Sequence, residues 1–201
     1  MTATTYLRSG FTILGLAGLL ACGGGGGSSA PAPAPAPAPT ATGLAYADPA
    51  AGGYRLVKHA SSAGSHLVLD LVGPATGTAM GVSIALNADA ARVTWVDVPA
   101  GGTTAVLMQN GTQFSLGSGT PILKAKAAGG VLRATVAQKA PTAPASLNGT
   151  LLRVALDLKP GLGLAPGTVI PLQYSVAGCE VLDGTNTLST IAIGVGTLTA
   201  Q

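Results

Sequence analysis

The chain has 201 residues, of which 8% are charged and 3% aromatic, and carries a formal net charge of +3. Its Lys and Arg residues are scattered along the sequence without interleaved aromatics, so no nucleic-acid surface is indicated. Abundant Ala, Val and Leu with little charge is the opposite of the signature of disorder, so the bulk of the chain should bury a core.

In chain order, Arg8 precedes an uncharged, mostly apolar run from Phe11 to Ala21, which has the order and length of a secretory signal over residues 1–21. The run is too short to span a bilayer, which takes about 20 apolar residues. It ends in Leu19-Leu20-Ala21-Cys22 followed by Gly23 to Gly27. That arrangement resembles the lipobox of bacterial lipoproteins. The resemblance implies cleavage before Cys22, lipidation of its sulfur, and acylation of the new amine by a chain such as palmitate. Burial of acyl chains is worth about 0.8 kcal/mol per methylene, so two or more chains anchor stably. Gly23 stands where, in the enterobacterial sorting pattern, an aspartate would retain the protein in the inner membrane. The expected location is therefore the outer membrane, lipid-anchored and facing the periplasm or the surface. An ordinary cleaved signal with an incidental thiol, or an uncleaved anchor, is the alternative.

Residues 22–43 read as a tether. Gly23 to Ser29 is a flexible coil, and Ala30 to Pro39 alternates Ala with Pro and should be extended polyproline II, roughly 30 Å long at about 3.1 Å per residue. A spacer fits better than a ligand for a peptide reader, because the flanking charges that orient such ligands are missing.

Residues 44–201 should form one domain of strands. Leu67, Leu69 and Leu71 alternate with Asp70; Met80, Val82, Ile84 and Leu86 alternate with Gly81, Ser83, Ala85 and Asn87. Leu132, Ala134 and Val136 oppose Arg133 and Thr135, and Leu152, Val154, Leu156 and Leu158 oppose Arg153, Ala155 and Asp157. Ile170, Leu172, Tyr174 and Val176 continue the pattern around Pro171, which marks an edge or a bulge, and Thr190 to Thr199 closes it as a last strand. Turn signals separate these runs, among them Gly129-Gly130, Asn110-Gly111, Asn148-Gly149 and Asp183-Gly184, the Asn-Gly and Asp-Gly pairs suiting type I′ hairpins. Asn110-Gly111-Thr112 and Asn148-Gly149-Thr150 also match the glycosylation acceptor pattern, but in a chain with a bacterial signal they read as turns. The expected fold is all-β, an antiparallel β-sandwich of jelly-roll type.

The order of these segments resembles the cohesin-like sandwiches, relatives of certain carbohydrate-binding modules. The likeness rests on Leu67-Val68-Leu69-Asp70-Leu71, then Gly81 to Leu86, Asp89 and Val93-Thr94. It continues through Leu151 to Leu158 before a Pro-Gly turn, then Gly167 to Leu172, Gly178, Asp183-Gly184 and Gly196-Thr197-Leu198. The chain departs from the family at Ala88, where an aromatic is usual, and at Ala155 or Leu156, where a core phenylalanine is common. Cohesin partner-binding residues form no short motif, so the resemblance implies the fold and a protein partner without naming a site.

Chemistry is sparse. His59 and His66 belong to no metal or nucleophile motif, although either could pair with Asp70 across a hairpin. Seven acids with Glu180 as the one glutamate make a paired-carboxylate hydrolase a poor fit. Asp183 and Asn186 could offer oxygens to calcium, but an Asp-Gly turn is the plainer reading. Cys179 is left without a partner once Cys22 is lipidated, and reads as a small buried hydrophobe or else as a reactive thiol. Trp95 and Tyr54 are candidate sugar-stacking platforms, with Trp95 alternatively a core anchor. The expectation is a membrane-anchored, non-enzymatic binding or scaffold module with a protein partner and no cofactor, a carbohydrate-binding module that grips polysaccharide being the alternative.

Overall fold

The computed structural model describes residues 34–115, 122–139 and 143–201. The signal, Cys22 and most of the tether lie outside the described residues. Pro37–Gln201 is one compact unit. The chain joins it before Leu44: the amide of Ala41 donates to the Leu164 carbonyl at 2.7 Å, and those of Thr42 and Gly43 donate to Gln201 at 2.8 Å.

The strands are, in order, β1 (Leu44–Ala47), β2 (Tyr54–Lys58), β3 (His66–Val72), β4 (Thr78–Ala79), β5 (Gly81–Ala88), β6 (Val93–Val96), β7 (Gln109–Asn110), β8 (Ile122–Ala128) and β9 (Val131–Ala137). They continue as β10 (Ala145–Ser146), β11 (Thr150–Leu158), β12 (Val169–Ile170), β13 (Leu172–Tyr174), β14 (Glu180–Leu182), β15 (Leu188–Thr190), β16 (Ile193–Gly194) and β17 (Thr197–Ala200). One sheet runs β16-β2-β3-β11-β6, with β7 also on β11; the other runs β15-β14-β5-β9-β8, with β13 also on β5. A three-stranded β1-β17-β12 ribbon adds Leu44, Tyr46, Ile170 and Leu198 to the same buried cluster. All pairings are antiparallel except that of β16 with β2.

The core is the product of the alternation. Leu67, Leu69 and Leu71 of β3 and Leu152, Val154 and Leu156 of β11 meet Val82, Ile84 and Leu86 of β5 and Leu132, Ala134 and Val136 of β9 in one buried cluster. Each of the Leu, Ile and Val side chains among them stabilises the fold by about 1.5–3 kcal/mol through its burial. Trp95 and Cys179 sit in the same cluster. The two-sided pattern is broken where outward residues are covered: Val68 on β3 and Ala155 on β11 are fully buried together under Val98, and Ala85 on the outward side of β5 is fully buried as well.

Three turn expectations change. Gly129-Gly130 has φ of 57° and 85° and joins β8 to β9 as a two-residue hairpin, as a type I′ turn requires. Asn110, by contrast, lies in β7 opposite Leu152, and a Cβ at Gly111 would strike the Thr150 carbonyl. In Asn148-Gly149 only the glycine has positive φ, and in the Asp183 loop the positive φ falls on Asn186. Asp183 closes that loop itself, its carboxylate accepting from the Thr185 amide and hydroxyl at 2.8 Å and from the Thr187 amide at 2.9 Å. These bonds hold the carboxyl below its usual pKa, the Thr187 amide having the largest effect.

Two expected strands are divided. At Pro171 the chain passes from β12, paired with β17, to β13, paired with β5, and the proline supplies the break because it has no N–H for either ladder. The segment expected as one strand from Thr190 to Thr199 splits into β15, β16 and β17. Gly196 lies between the last two, and its amide donates to the buried Tyr46 hydroxyl at 2.7 Å. Burial pushes that phenol up to about 12.

Candidate functional site

The outer faces of the two large sheets differ. On the β3–β11 sheet the charged groups of β3 and β11 pair with one another, while Arg55 on β2 is in no ion pair among the described residues. Arg153 grips Asp70 at 2.6 and 3.2 Å across the ladder. His66 Nδ1 lies 2.6 Å from Asp157, its register partner on β11, and Nε2 lies 2.9 Å from the Val98 carbonyl. Asp70, which the sequence left open as a partner for either histidine, thus pairs with Arg153, and His66 pairs with Asp157. Val98 and its neighbours cover part of this face.

That geometry also bears on catalysis. His59, Ser61, His66 and Arg153 line a cavity of about 340 Å³. The Ser61 hydroxyl lies 2.7 Å from His59 Nδ1, two residues away in an exposed turn. The carboxylate belongs to the other histidine, whose two nitrogens both face acceptors, so base, acid and hydroxyl do not converge on one relay. Among the described residues no group of three or more His, Cys, Asp or Glu is placed to hold a metal ion. Cys179 is fully buried, its sulfur accepting from the Ala85 amide at 3.3 Å, and burial raises its thiol pKa. It is packing rather than an accessible nucleophile.

The outer face of the β5–β9 sheet is exposed towards its β8 edge and covered at Ala85 on β5. Its residues stand in register as rows. Ile122, Ala137, Gly81, Leu182 and Leu188 form one, small in the middle with Ile122 47% and Leu188 62% exposed at the ends. The next is Lys124, Thr135, Ser83, Glu180 and Thr190, with Ser83 and Thr135 hydroxyls 2.8 Å apart. Lys126, Arg133 and Ala85 follow, and beyond them Asn87 is opposite Gln173. Lys124, Lys126 and Arg133 are exposed and in no ion pair among the described residues. Cations scattered in the sequence are thus gathered by the β8–β9 ladder. The signal that could have found them is the alternation Lys124-Ala125-Lys126, which reads as an amphipathic strand.

Beside β8 lies the segment 104–107. Asp97, itself buried, takes the Thr104 amide at 2.6 Å and hydroxyl at 2.7 Å, and the Ala105 and Leu107 amides at 3.2 Å. These bonds, the Thr104 hydroxyl foremost, hold its carboxyl below the usual pKa. Ala105 and Leu107 have φ of 55° and 59°, a conformation that costs a non-glycine residue about 1–3 kcal/mol and persists where its surroundings enforce it. Nothing in the sequence marks this loop, since Asp97 gathers its donors only in the folded chain.

The aromatic candidates lie apart. Trp95 is 7% exposed within the core, opposite Leu156 on β11, and its indole N–H donates to the Gly130 carbonyl at 2.7 Å. Tyr54 is half-buried on β2, three strands away in the same sheet. The two form no exposed strip on which a sugar could stack.

No protein-family model matches the chain, and no curated protein does so at significance. Solved structures do. A type II cohesin domain from the cellulosome of Acetivibrio cellulolyticus superposes with a TM-score of 0.53 at 14% identity, over 73% of this chain and 93% of that one. A chain of a CaDoc0917–CaCohA2 complex, CaCohA2 being from Clostridium acetobutylicum, gives 0.54 at 15%, over 74% and 99%. A type II Cohesin-X-Dockerin complex from Acetivibrio cellulolyticus gives 0.51 at 12%, over 72% and 95%. The chain has the all-β sandwich fold of the cohesins.

Proposed function

We propose that this chain is a non-enzymatic, protein-binding module of cohesin type, held at the outer membrane by lipid on Cys22 and carried away from it by the Ala-Pro spacer. The observation that supports it best is the contrast between the two sheets. On one face the charges of β3 and β11 are paired and Val98 covers part of the surface, while on the other Lys124, Lys126 and Arg133 of β8 and β9 are exposed and in no ion pair among the described residues. Flat faces of this kind suit a protein surface better than a small substrate. One of the cohesins that this fold resembles is in complex with dockerin, which makes a dockerin-like domain the first partner to test.

Binding is tested with the partner isolated by capture on the full chain and then purified. Ser83→Arg, in the centre of the face, should weaken binding at least tenfold while leaving the melting temperature within a few degrees. Asn87→Arg should act in the same direction. Unchanged affinity in both variants removes the face from the reading. The anchor is tested separately. Cys22→Ala should move the protein from the detergent phase to the aqueous phase and abolish labelling by palmitate analogues, and unchanged partitioning would refute lipidation.

A further inference from the structure

Strand β8 ends the β15-β14-β5-β9-β8 sheet and pairs with β9 alone, so among the described residues its outer edge has no backbone partner. An unpaired edge is a template for another strand, and proteins usually blunt it with lysine, proline or a bulge. Seven residues of it are extended, offering roughly 23 Å at about 3.3 Å per residue. The side chains alternate strictly: Lys124 and Lys126 are exposed, whereas Leu123, Ala125 and Ala127 face inward and are only half-buried at the rim of the core. Alongside lies a groove of about 540 Å³, bounded by Ala105 and Val106 on one side and by Lys124, Lys126, Arg133 and Thr135 on the other. Val106 is 48% exposed on the wall that Asp97 holds rigid.

We infer that the edge of β8 takes up an extended acidic segment of the protein partner as an added strand, lying in the groove between β8 and the 104–107 loop. The inference rests on the reading of the chain as a protein-binding module and names the partner's chemistry. Charge decides between occupants. A second copy of β8 added antiparallel about Ala125 would set Lys124 against Lys126 at both outward positions, and like charges directly opposite destabilise a pair. An acidic strand turns the same positions into cross-strand pairs worth about 0.2–1 kcal/mol each, and Arg133, opposite Lys126 on β9, adds a third cation beside them. Main-chain hydrogen bonds supply the affinity and the alternation supplies the selectivity. The expected segment therefore alternates acids on the outer face with small apolar residues, which cover Leu123, Ala125 and Ala127 and touch Val106.

The test uses the full chain and fluorescein-labelled heptapeptides in a polarisation titration. A peptide alternating aspartate and valine should bind at least tenfold more tightly than one alternating lysine and valine. Placing proline at its centre removes an N–H and should cost tenfold or more, as should the same composition in block order. Lys124→Glu with Lys126→Glu should exchange the preference between acidic and basic peptides, and amide exchange over residues 122–128 should slow with the acidic peptide alone. Equal binding of alternating and block peptides reduces the effect to bulk charge and overturns strand addition, as does absence of binding at millimolar peptide. If the purified partner is lost by Ser83→Arg but unaffected by the double lysine variant, the edge inference fails while the binding module stands. If the acidic peptide binds as described and no partner depends on Ser83, the reverse holds.

Discussion

Replacing Trp95 with alanine should lower the unfolding free energy by about 3–5 kcal/mol, the range for deleting a buried tryptophan, and should lower the melting temperature by roughly 6–20 °C. The side chain is embedded in the cluster between the sheets and also anchors the β8–β9 hairpin, because its N–H meets the Gly130 carbonyl. Trp95→Phe keeps most of the apolar area and loses that bond. The Gly130 carbonyl retains the Ala88 amide at 3.0 Å, so it is not left unpaired, and the cost should be only about 0.5–1.5 kcal/mol plus the smaller ring. Urea unfolding of the three proteins measures this directly. Since Trp95 is the only tryptophan, its fluorescence should also resist quenching by iodide in the native chain. A stacking platform would behave in the opposite way: the alanine variant would keep its stability and lose affinity for polysaccharide, and iodide would quench the native emission.

Leu156→Ala should cost about 2–5 kcal/mol, the range for a buried leucine whose cavity closes incompletely. Leu156 is fully buried near the end of β11, paired with Leu67 on one side and Trp95 on the other. A cavity there is lined by two strands' worth of large side chains that cannot move inward without disturbing both ladders. The neighbouring Ala155 faces the opposite side, beneath Val68 and Val98, so Ala155→Leu should destabilise by overpacking, by about 1–3 kcal/mol. Denaturation of both variants fixes the register: a strand displaced by one residue would exchange the two responses, because each step along a strand moves a side chain to the other face.

The strands that form the body of the sandwich were legible because each buries one face and exposes the other. Leu132, Ala134 and Val136 against Arg133 and Thr135, for instance, is a complete description of β9. Punctuation was less legible. Gly129-Gly130 turns as glycine chemistry allows, but Asn110-Gly111 is drawn into the sheet by pairing with β11, and ladder bonds outweigh a local turn preference. Val68 shares the outward face of β3 with Asp70 and is buried all the same, because Val98 folds over it from a distant loop. Pro171 marks an edge or a bulge by sequence, and only the fold shows that the chain changes sheets there.

The candidate site was the least legible part, for a physical reason. The alternation of apolar and polar residues, acting through the hydrophobic effect on a two-residue period, determined from sequence alone that this is a two-layered all-β domain with a particular set of inward side chains. Cys22 and its flanking run form a contiguous segment that resembles a lipobox and lies outside the described residues. Pairing across the sheet is not contiguous: whether Lys124, Lys126 and Arg133 reinforce one another, whether Asp70 meets His66 or Arg153, and which sheet face is left open depend on register and loop paths. Those are settled by packing between residues far apart in the chain, and so by the tertiary structure alone.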